Sequence, residues 1–276
     1  MSSAVPASAP EPDAQVSDAR RRERAARVKV GVQLQPQHTS IERYRAAWRE
    51  ADQLRLDSLW TWDHFLPVDG DPDGPHFEGW SLLAAMAVDT MHPRIGVLVS
   101  CNGYRNPDLL AHMAQTVSLL SGGRAILGLG AGWFEREYAE YGFDFGPTAS
   151  RLKALDESLP RIRARLAKVR PSVPDLPILV GGTGERVTLR IVAQHADLWN
   201  FQEPTPEAFI HKSAVLARWC DRIGRDPGEI EHTATIQPSA LGHGERLLDA
   251  GVEHLILELR HPFDFTLVDR LLELAR

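Results

Sequence analysis

The amino-acid sequence predicts an α/β fold of the (β/α)8 TIM-barrel class. Two observations carry that prediction. From Val28 onward, short apolar runs alternate with longer amphipathic ones in eight successive pairs, a rhythm that implies parallel strands joined by helical crossovers. Residues 28–276 also match the roughly 250 residues of a closed barrel, whereas an open doubly wound sheet usually has about six strands. Residues 1–27 differ from the rest: they lack aromatic residues, begin rich in Ala, Pro and Ser, and end in an Arg-rich stretch. They are expected to form a disordered tail ahead of a single barrel domain spanning 28–276.

Each element has its own signal. Val28–Leu34 (VKVGVQL) reads as the first strand, and Ser40–Leu54 as a helix with Thr39 or Ser40 as N-cap. Ser58–Trp62 and Glu78–Met91 form the second pair. Arg94–Ser100 (RIGVLVS) and a helix from Pro107 to Leu120 form the third, with Pro107 at the first helical position, where a missing N–H costs nothing. Arg124–Gly130 and Ser150–Val169 make the fourth. The second half repeats the rhythm in the pairs Pro177–Val180 with Glu185–His195, Asp197–Phe201 with Pro206–Ile223, Ile230–Ile236 with Ser239–Ala250, and His254–Glu258 with Phe265–Ala275. Two long loops interrupt it, Pro67–Pro75 and Gly132–Thr148.

Composition excludes several functions. Hydrophobic content of 43 % and charged content of 25 % are ordinary for a globular chain. A net charge of −6 argues against a nucleic-acid binder, which needs a basic face for phosphates. No apolar run approaches the roughly 20 residues that span a bilayer, and the leader lacks the apolar stretch of a secretory signal. Two cysteines are too few for a disulfide scaffold or a structural zinc site, so a cytoplasmic setting is expected. The 11 histidines are scattered, with no HxH or HExxH, and no metal site is expected. Serine-hydrolase chemistry lacks its GxSxG elbow.

In such barrels chemistry gathers where strands end, so those positions are the candidates. The second strand ends in Trp62-Asp63-His64-Phe65, a carboxylate beside an imidazole. That pair suits acid–base work or cofactor orientation, and equally a capping Asp with a backbone-bonded His. Cys101, after the third strand, has no base nearby in sequence and reads as a buried spectator thiol. Gly128-Leu129-Gly130-Ala131-Gly132-Trp133 has the spacing GxGxG rather than a dinucleotide GxGxxG, and is expected to let a flat ring lie close to the mouth. Trp62, Trp133 and Trp199 fall at or just past the ends of strands of like parity, which points to a shared aromatic wall. Gly181-Gly182-Thr183-Gly184 opens a helix, where free N–H groups and the helix dipole suit a phosphate; a tight turn is the plainer reading.

At these residues the chain resembles the luciferase-like monooxygenase superfamily, and within it the coenzyme F420-dependent oxidoreductases. The matching stretches are Leu59–Phe65 (LWTWDHF), Gly96–Pro107 (GVLVSCNGYRNP), Ser121–Tyr141 (SGGRAILGLGAGWFEREYAEY) and Ile178–Asn200 (ILVGGTGERVTLRIVAQHADLWN). The resemblance implies a luciferase-like barrel, here with short insertions, and F420 as cofactor, with FMN as the alternative. It places a cofactor-contacting acid at Asp63 and a catalytic or orienting histidine at His64, held by Asp63. It puts a bulge with a non-prolyl cis peptide near Leu98–Val99, Ser100 and Asn102 beside the ring, and Gly132 and Trp133 at its side. The cofactor phosphate is expected on Gly181, Gly182 and Thr183, and Glu137 and Tyr138 are expected as pocket residues.

Two departures stand out. Sugar-phosphate dehydrogenases of the family carry a glutamate after the GxG stretch where this chain has Trp133, which speaks against that substrate. Only Arg170–Leu176 joins the fourth helix to the fifth strand, so part of a substrate lid is expected to be missing. The implied activity is hydride transfer between a deazaflavin and a small organic molecule. FMN-dependent monooxygenation and a flavin-binding barrel with little catalysis are the alternatives. A homodimer without nucleic-acid or membrane partners is expected.

Overall fold

The computed structural model describes residues 28–173, 176–202 and 205–275. The expected tail, 1–27, lies outside the described residues. The strands are β1 (Lys29–Leu34), β2 (Ser58–Thr61), β3 (Arg94–Val97), β4 (Ser100–Cys101), β5 (Ala125–Gly130), β6 (Ile178–Gly181), β7 (Leu198–Phe201), β8 (Glu231–Ile236) and β9 (His254–Leu259). All their pairings are parallel, and β1 pairs with both β2 and β9, which closes the sheet. Segments β3 and β4 are two halves of one barrel strand: β5 pairs with β3 at Ile95–Ala125 and with β4 at Ser100–Leu129. The result is the predicted closed barrel of eight strand positions.

The helices are α1 (Ile41–Gln53), α2 (Gly79–Asp89), α3 (Pro107–Leu120), α4 (Glu135–Tyr141), α5 (Thr148–Leu166), α6 (Thr188–His195), α7 (Pro206–Ile223), α8 (Gly244–Asp249) and α9 (Thr266–Ala275). Their starts follow local chemistry. Ser40 caps α1 by accepting from Arg43 N at 3.4 Å, and Glu78 caps α2 by accepting from Trp80 N and Ser81 N. Asn106 caps α3 with Pro107 at its first turn. No helix among the described residues is long and apolar enough to cross a membrane.

Three elements differ from expectation. The helix after β6 begins at Thr188 rather than Glu185, because residues 182–187 form a glycine-containing connection that ends in a turn. The predicted helix Ser239–Ala250 divides into a 3-10 turn, Pro238–His243, and the short α8. The loop Gly132–Thr148 contains α4, whose burial of Glu137 and Tyr138 shapes the site described below.

Alternation along the strands sorts side chains between two cores. Val32, Leu34 and Trp199 face the helices, while Trp60, Leu98, Ile126, Leu179, Leu198 and Ile256 fill the barrel interior as an apolar plug. Beneath that plug, at the N-terminal end of the barrel, a polar layer is fully bonded. Glu231 accepts from Lys29 Nζ at 2.6 Å and pairs with His254 Nδ1 at 3.1 Å. His254 Nε2 meets Ser58 Oγ at 2.7 Å, and Trp60 Nε1 donates to that same hydroxyl at 2.7 Å. The order Ser58–His254–Glu231 matches a hydrolytic triad in connectivity only. Ser58 is wholly buried and its oxygen is engaged on both sides, so the group acts as a hydrogen-bonded floor.

The floor gives the fold a pH-dependent contribution. Burial pushes the Glu231 carboxyl up, but the bonds from His254 and Lys29 more than offset this and hold its pKa at about 2, below the usual 4.5. A depressed carboxyl pKa stabilises the folded state above the unfolded value and loses that stabilisation as pH falls through the folded one. Unfolding of Glu231→Gln at neutral pH is expected to show a loss on the order of 2 kcal/mol relative to the parent. The difference should shrink as pH falls from 4.5 toward 2; a gap that stays constant would assign the effect to packing alone.

Candidate active site

The C-terminal ends of the strands enclose a cavity of about 670 Å³, within the size range of small-molecule sites. Its walls come from the ends of β1, β2, β5, β6, β8 and β9 and from the break in the third strand. At that break the Leu98–Val99 peptide is cis, where the family resemblance places it. Leu98 N donates to Thr61 O at 2.8 Å, and Leu98 O accepts from Gln33 Nε2 at 2.5 Å, so neighbouring and facing strands both hold the break.

Glycines of β5 make room for this break. A Cβ on Gly130 would come within 2.6 Å of Val99 Cγ2, and one on Gly132 would come within 2.1 Å of the Tyr138 hydroxyl. The GxGxG spacing therefore also answers to close approach of the protein's own side chains, while Gly130 and Gly132 line the cavity.

The Asp63-His64 dipeptide divides its labour in a way unlike the expected one. Asp63 lines the cavity, but its carboxylate is bound within the protein. Arg105 grips it through two bonds, Nη1 to Oδ2 at 2.6 Å and Nη2 to Oδ1 at 3.0 Å, and Cys101 N donates to Oδ2 at 2.9 Å. Burial pushes this carboxyl up, and the Arg105 guanidinium pulls it back. Glu78 binds the same guanidinium at 2.7 Å, which ties the loop after β2 to the loop after β4.

His64 is held by Glu137, not by Asp63. Its Nδ1 lies 2.9 Å from Glu137 Oε2, while Phe65 N, Leu66 N and the Tyr104 hydroxyl also donate to that carboxylate, at 2.5, 3.0 and 2.6 Å. Glu137 is completely buried. Burial alone would raise its pKa, but the bonds from His64, Tyr104 and Leu66 N lower it, so it stays an anion. An anionic acceptor fixes the His64 tautomer with hydrogen on Nδ1, which leaves Nε2 for the cavity that His64 lines.

Of the candidates named from sequence, Asp63, His64, Leu98, Val99, Gly132, Trp133, Gly181 and Gly182 line the large cavity. Ser100, Asn102, Tyr138 and Thr183 are not among its lining residues. Ser100 is fully buried, and its hydroxyl accepts from Trp80 Nε1 at 3.1 Å, because β4 turns it toward α2. Asn102 and Tyr138 line a separate cavity of about 190 Å³ on the outer side of the β5 loop, and the Tyr138 hydroxyl sits 2.9 Å from Cys101 Sγ. Burial pushes the Cys101 thiol up to about 11, consistent with the expected spectator role.

The expected aromatic wall is corrected as well. Trp62 and Trp133 border the cavity, but Trp199 stacks on Phe209 in the outer core with centroids 5.7 Å apart. Strand alternation sends Leu198 inward and Trp199 outward, so equal position along two strands did not mean equal facing. Trp133 instead stacks with Phe134 and meets His64 edge-on at 5.5 Å.

Sequence reasoning missed the polar side of the cavity. Gln33, Thr235, Gln237 and Glu258 line it from β1, β8 and β9, and no Lys or Arg is among its described lining residues. The available signal was the period-two run Gln33-x-Gln35-x-Gln37 and the charged end of an otherwise apolar strand, HLILE.

The residues fit a flat cofactor with a phosphate tail. Leu98 and Val99 offer an apolar floor, and Trp133 and Phe134 an aromatic side. Gly181 and Gly182 line the cavity ahead of α6, with Gly182 at φ 124°, a conformation that favours glycine. With no cation there, backbone dipoles and the start of α6 are what the chain offers an anion.

Comparisons with known proteins bear on the fold and the family. An F420-dependent glucose-6-phosphate dehydrogenase of Amycolatopsis mediterranei is 39 % identical over 116 residues, covering 41 % of this chain and 34 % of its own length. A phthiodiolone/phenolphthiodiolone dimycocerosates ketoreductase of Mycobacterium bovis is 27 % identical over 260 residues, covering 78 % of this chain and 65 % of its own length. This chain thus spans between a third and two thirds of these relatives. Among solved structures, an F420-dependent secondary alcohol dehydrogenase in complex with an F420-acetone adduct superposes with TM-score 0.80 at 16 % identity, over 91 % of this chain and 99 % of that one. The family model for luciferase-like monooxygenases matches residues 24–261, nearly the whole barrel, and the chain belongs to that family.

Proposed function

We propose that this protein is an F420-dependent oxidoreductase acting on a small, uncharged organic substrate such as a ketone or secondary alcohol. The observation that carries this reading is one cavity with three distinct walls. It is lined by the break at Leu98–Val99, by His64 fixed by Glu137, and by Gly181 and Gly182 ahead of α6. A bound deazaflavin supplies or accepts a hydride, since carbon at its ring position 5 favours two-electron transfer.

The chain's own contribution is placement and exclusion. Holding reactants in one geometry supplies much of the acceleration in such reactions. Leu98, Val99 and Trp133 define the plane available to a ring. His64 presents Nε2 to the cavity and orients a proton-bearing group there, while Glu137 prevents the imidazole from turning. The relative named for glucose 6-phosphate acts on an anion, whereas no Lys or Arg among the described residues lines this cavity. A phosphorylated substrate would find no Lys or Arg among the described lining residues, so an uncharged substrate suits this mouth better.

Titration of the purified protein with F420 and with FMN, read by tryptophan fluorescence, tests the cofactor. F420 is expected to quench strongly through Trp62 and Trp133, and Trp133→Phe should reduce the quench without abolishing binding. Quenching by FMN alone would replace this reading with flavin monooxygenation; quenching by neither would refute the site.

His64→Ala is expected to retain F420 affinity and to lower turnover of ketones by about a hundredfold, the lower range for loss of acid–base assistance. Unchanged turnover would remove His64 from the chemistry. Glu137→Ala leaves four donors without their acceptor in a buried place and should lower stability by about 3 kcal/mol. Chemical denaturation checks that figure, and a loss under 1 kcal/mol would mean that water replaces the carboxylate.

A further inference from the structure

We propose that Glu258 is the residue that gives a proton to, and takes one from, the substrate oxygen, a role that rests on the hydride-transfer reading above. Glu258 belongs to β9, in register with Gln33 of β1. It follows Ile256 of the apolar plug by two residues, so strand alternation points it inward one layer higher, where it lines the cavity. The described cavity lining contains two carboxyl groups, Asp63 and Glu258. Asp63 is gripped by Arg105 through two bonds, whereas Glu258 makes no ion pair within 4.0 Å among the described residues.

A relay of side-chain amides sets the orientation of Glu258. It starts at a backbone group whose polarity is fixed: Val68 N donates to Gln37 Oε1 at 2.9 Å. The Gln37 amide nitrogen must then point the other way, and it donates to Gln35 Oε1 at 3.2 Å and to Asp69 Oδ1 at 2.7 Å. With its oxygen so occupied, Gln35 presents Nε2 to Glu258 Oε1. Gln35 and Gln37 are almost wholly buried, so neither amide is free to turn over. Oε1 is therefore an acceptor, and a proton on the carboxyl resides on Oε2.

Electrostatics match this geometry. Burial pushes the Glu258 carboxyl above its usual range, while the Gln35 bond and the charge of Arg260 act against that and Asp69 adds to it. Arg260 is itself shared with Asp69, at 3.5 Å. The neighbouring strands present uncharged Gln33, Thr235 and Gln237 to the same part of the cavity. A carboxylic acid in a pocket of amides and hydroxyls retains a proton that an exposed glutamate would lose.

The balanced step follows. In reduction, a bound reduced deazaflavin would supply the hydride that bonds to the carbonyl carbon, and the π pair of C=O would move to oxygen. That oxygen takes the proton from Glu258 Oε2, which leaves an alcohol, a carboxylate and an oxidised cofactor; solvent at the open mouth returns the proton. In oxidation the carboxylate removes the hydroxyl proton while the hydride would pass from carbon to the oxidised deazaflavin.

Glu258→Gln and Glu258→Asp test the assignment. The infrared spectrum of the ligand-free protein is expected to keep a protonated-carboxyl C=O band above pH 4.5, and Glu258→Gln should lose it. Both variants should quench with F420 as the parent does. Turnover of a ketone by Glu258→Gln should fall by about a hundredfold. Its rate should lose the decline with rising pH that the parent shows as Glu258 deprotonates, and Glu258→Asp should recover part of the rate. An infrared band unchanged in Glu258→Gln, or equal turnover with an equal pH profile, would overturn the proposal. Failure of the parent to bind F420 would instead defeat the cofactor reading, and the infrared titration would still decide whether Glu258 holds a proton.

Discussion

A carboxylate removed from water must be surrounded by donors or it will not stay charged, and the upper face of this barrel is organised around one such group. Glu137 collects the His64 ring, two backbone N–H groups and the Tyr104 hydroxyl. Those donors come from the loops after β2 and β4, while the acceptor rides on α4. Three segments far apart in sequence are thereby held in one arrangement. A second clamp, Asp63 with Arg105 and Glu78, fixes the base of the same loops. Together they allow His64 to face a cavity with one nitrogen and one orientation.

The barrel interior beneath this face is graded from polar to apolar and back. A bonded floor of Glu231, His254, Ser58 and Lys29 closes the N-terminal end, and the plug around Trp60 and Leu198 excludes water above it. The cavity begins where glutamine, threonine and glutamate replace those apolar residues. Its chemistry depends on that boundary, because a carboxyl such as Glu258 holds a proton only where water is scarce and partners are neutral. The amide relay from Val68 to Gln35 belongs to the same design, carrying a backbone polarity inward to one carboxyl oxygen.

The eight-unit rhythm, the glycine punctuation and the break near Leu98–Val99 were legible in the chain, the first from periodicity and the last from family resemblance. So was the likelihood that Asp63 and His64 sit at a strand end. Their partners were not. Glu137 lies 73 residues from His64, and Arg105 lies 42 from Asp63, separations that local spacing does not encode. Trp199 was misassigned because position along a strand was read without its facing. Glu258 and the Gln33-x-Gln35-x-Gln37 run were overlooked because neither forms a known motif, although alternation alone places them inside the barrel.

By itself the sequence determined the barrel, the order of its elements, the absence of basic character and several of the strand ends that line the cavity. These are properties of local periodicity, capping and composition, which act over a few residues. Only the tertiary structure decided which carboxylate holds His64, which one is neutralised by Arg105, which tryptophans reach the cavity and which acid faces it without an ion pair among the described residues. Each of those depends on contacts between elements far apart in the chain, and in a barrel such contacts are set by closure, register and the inward or outward facing of each strand.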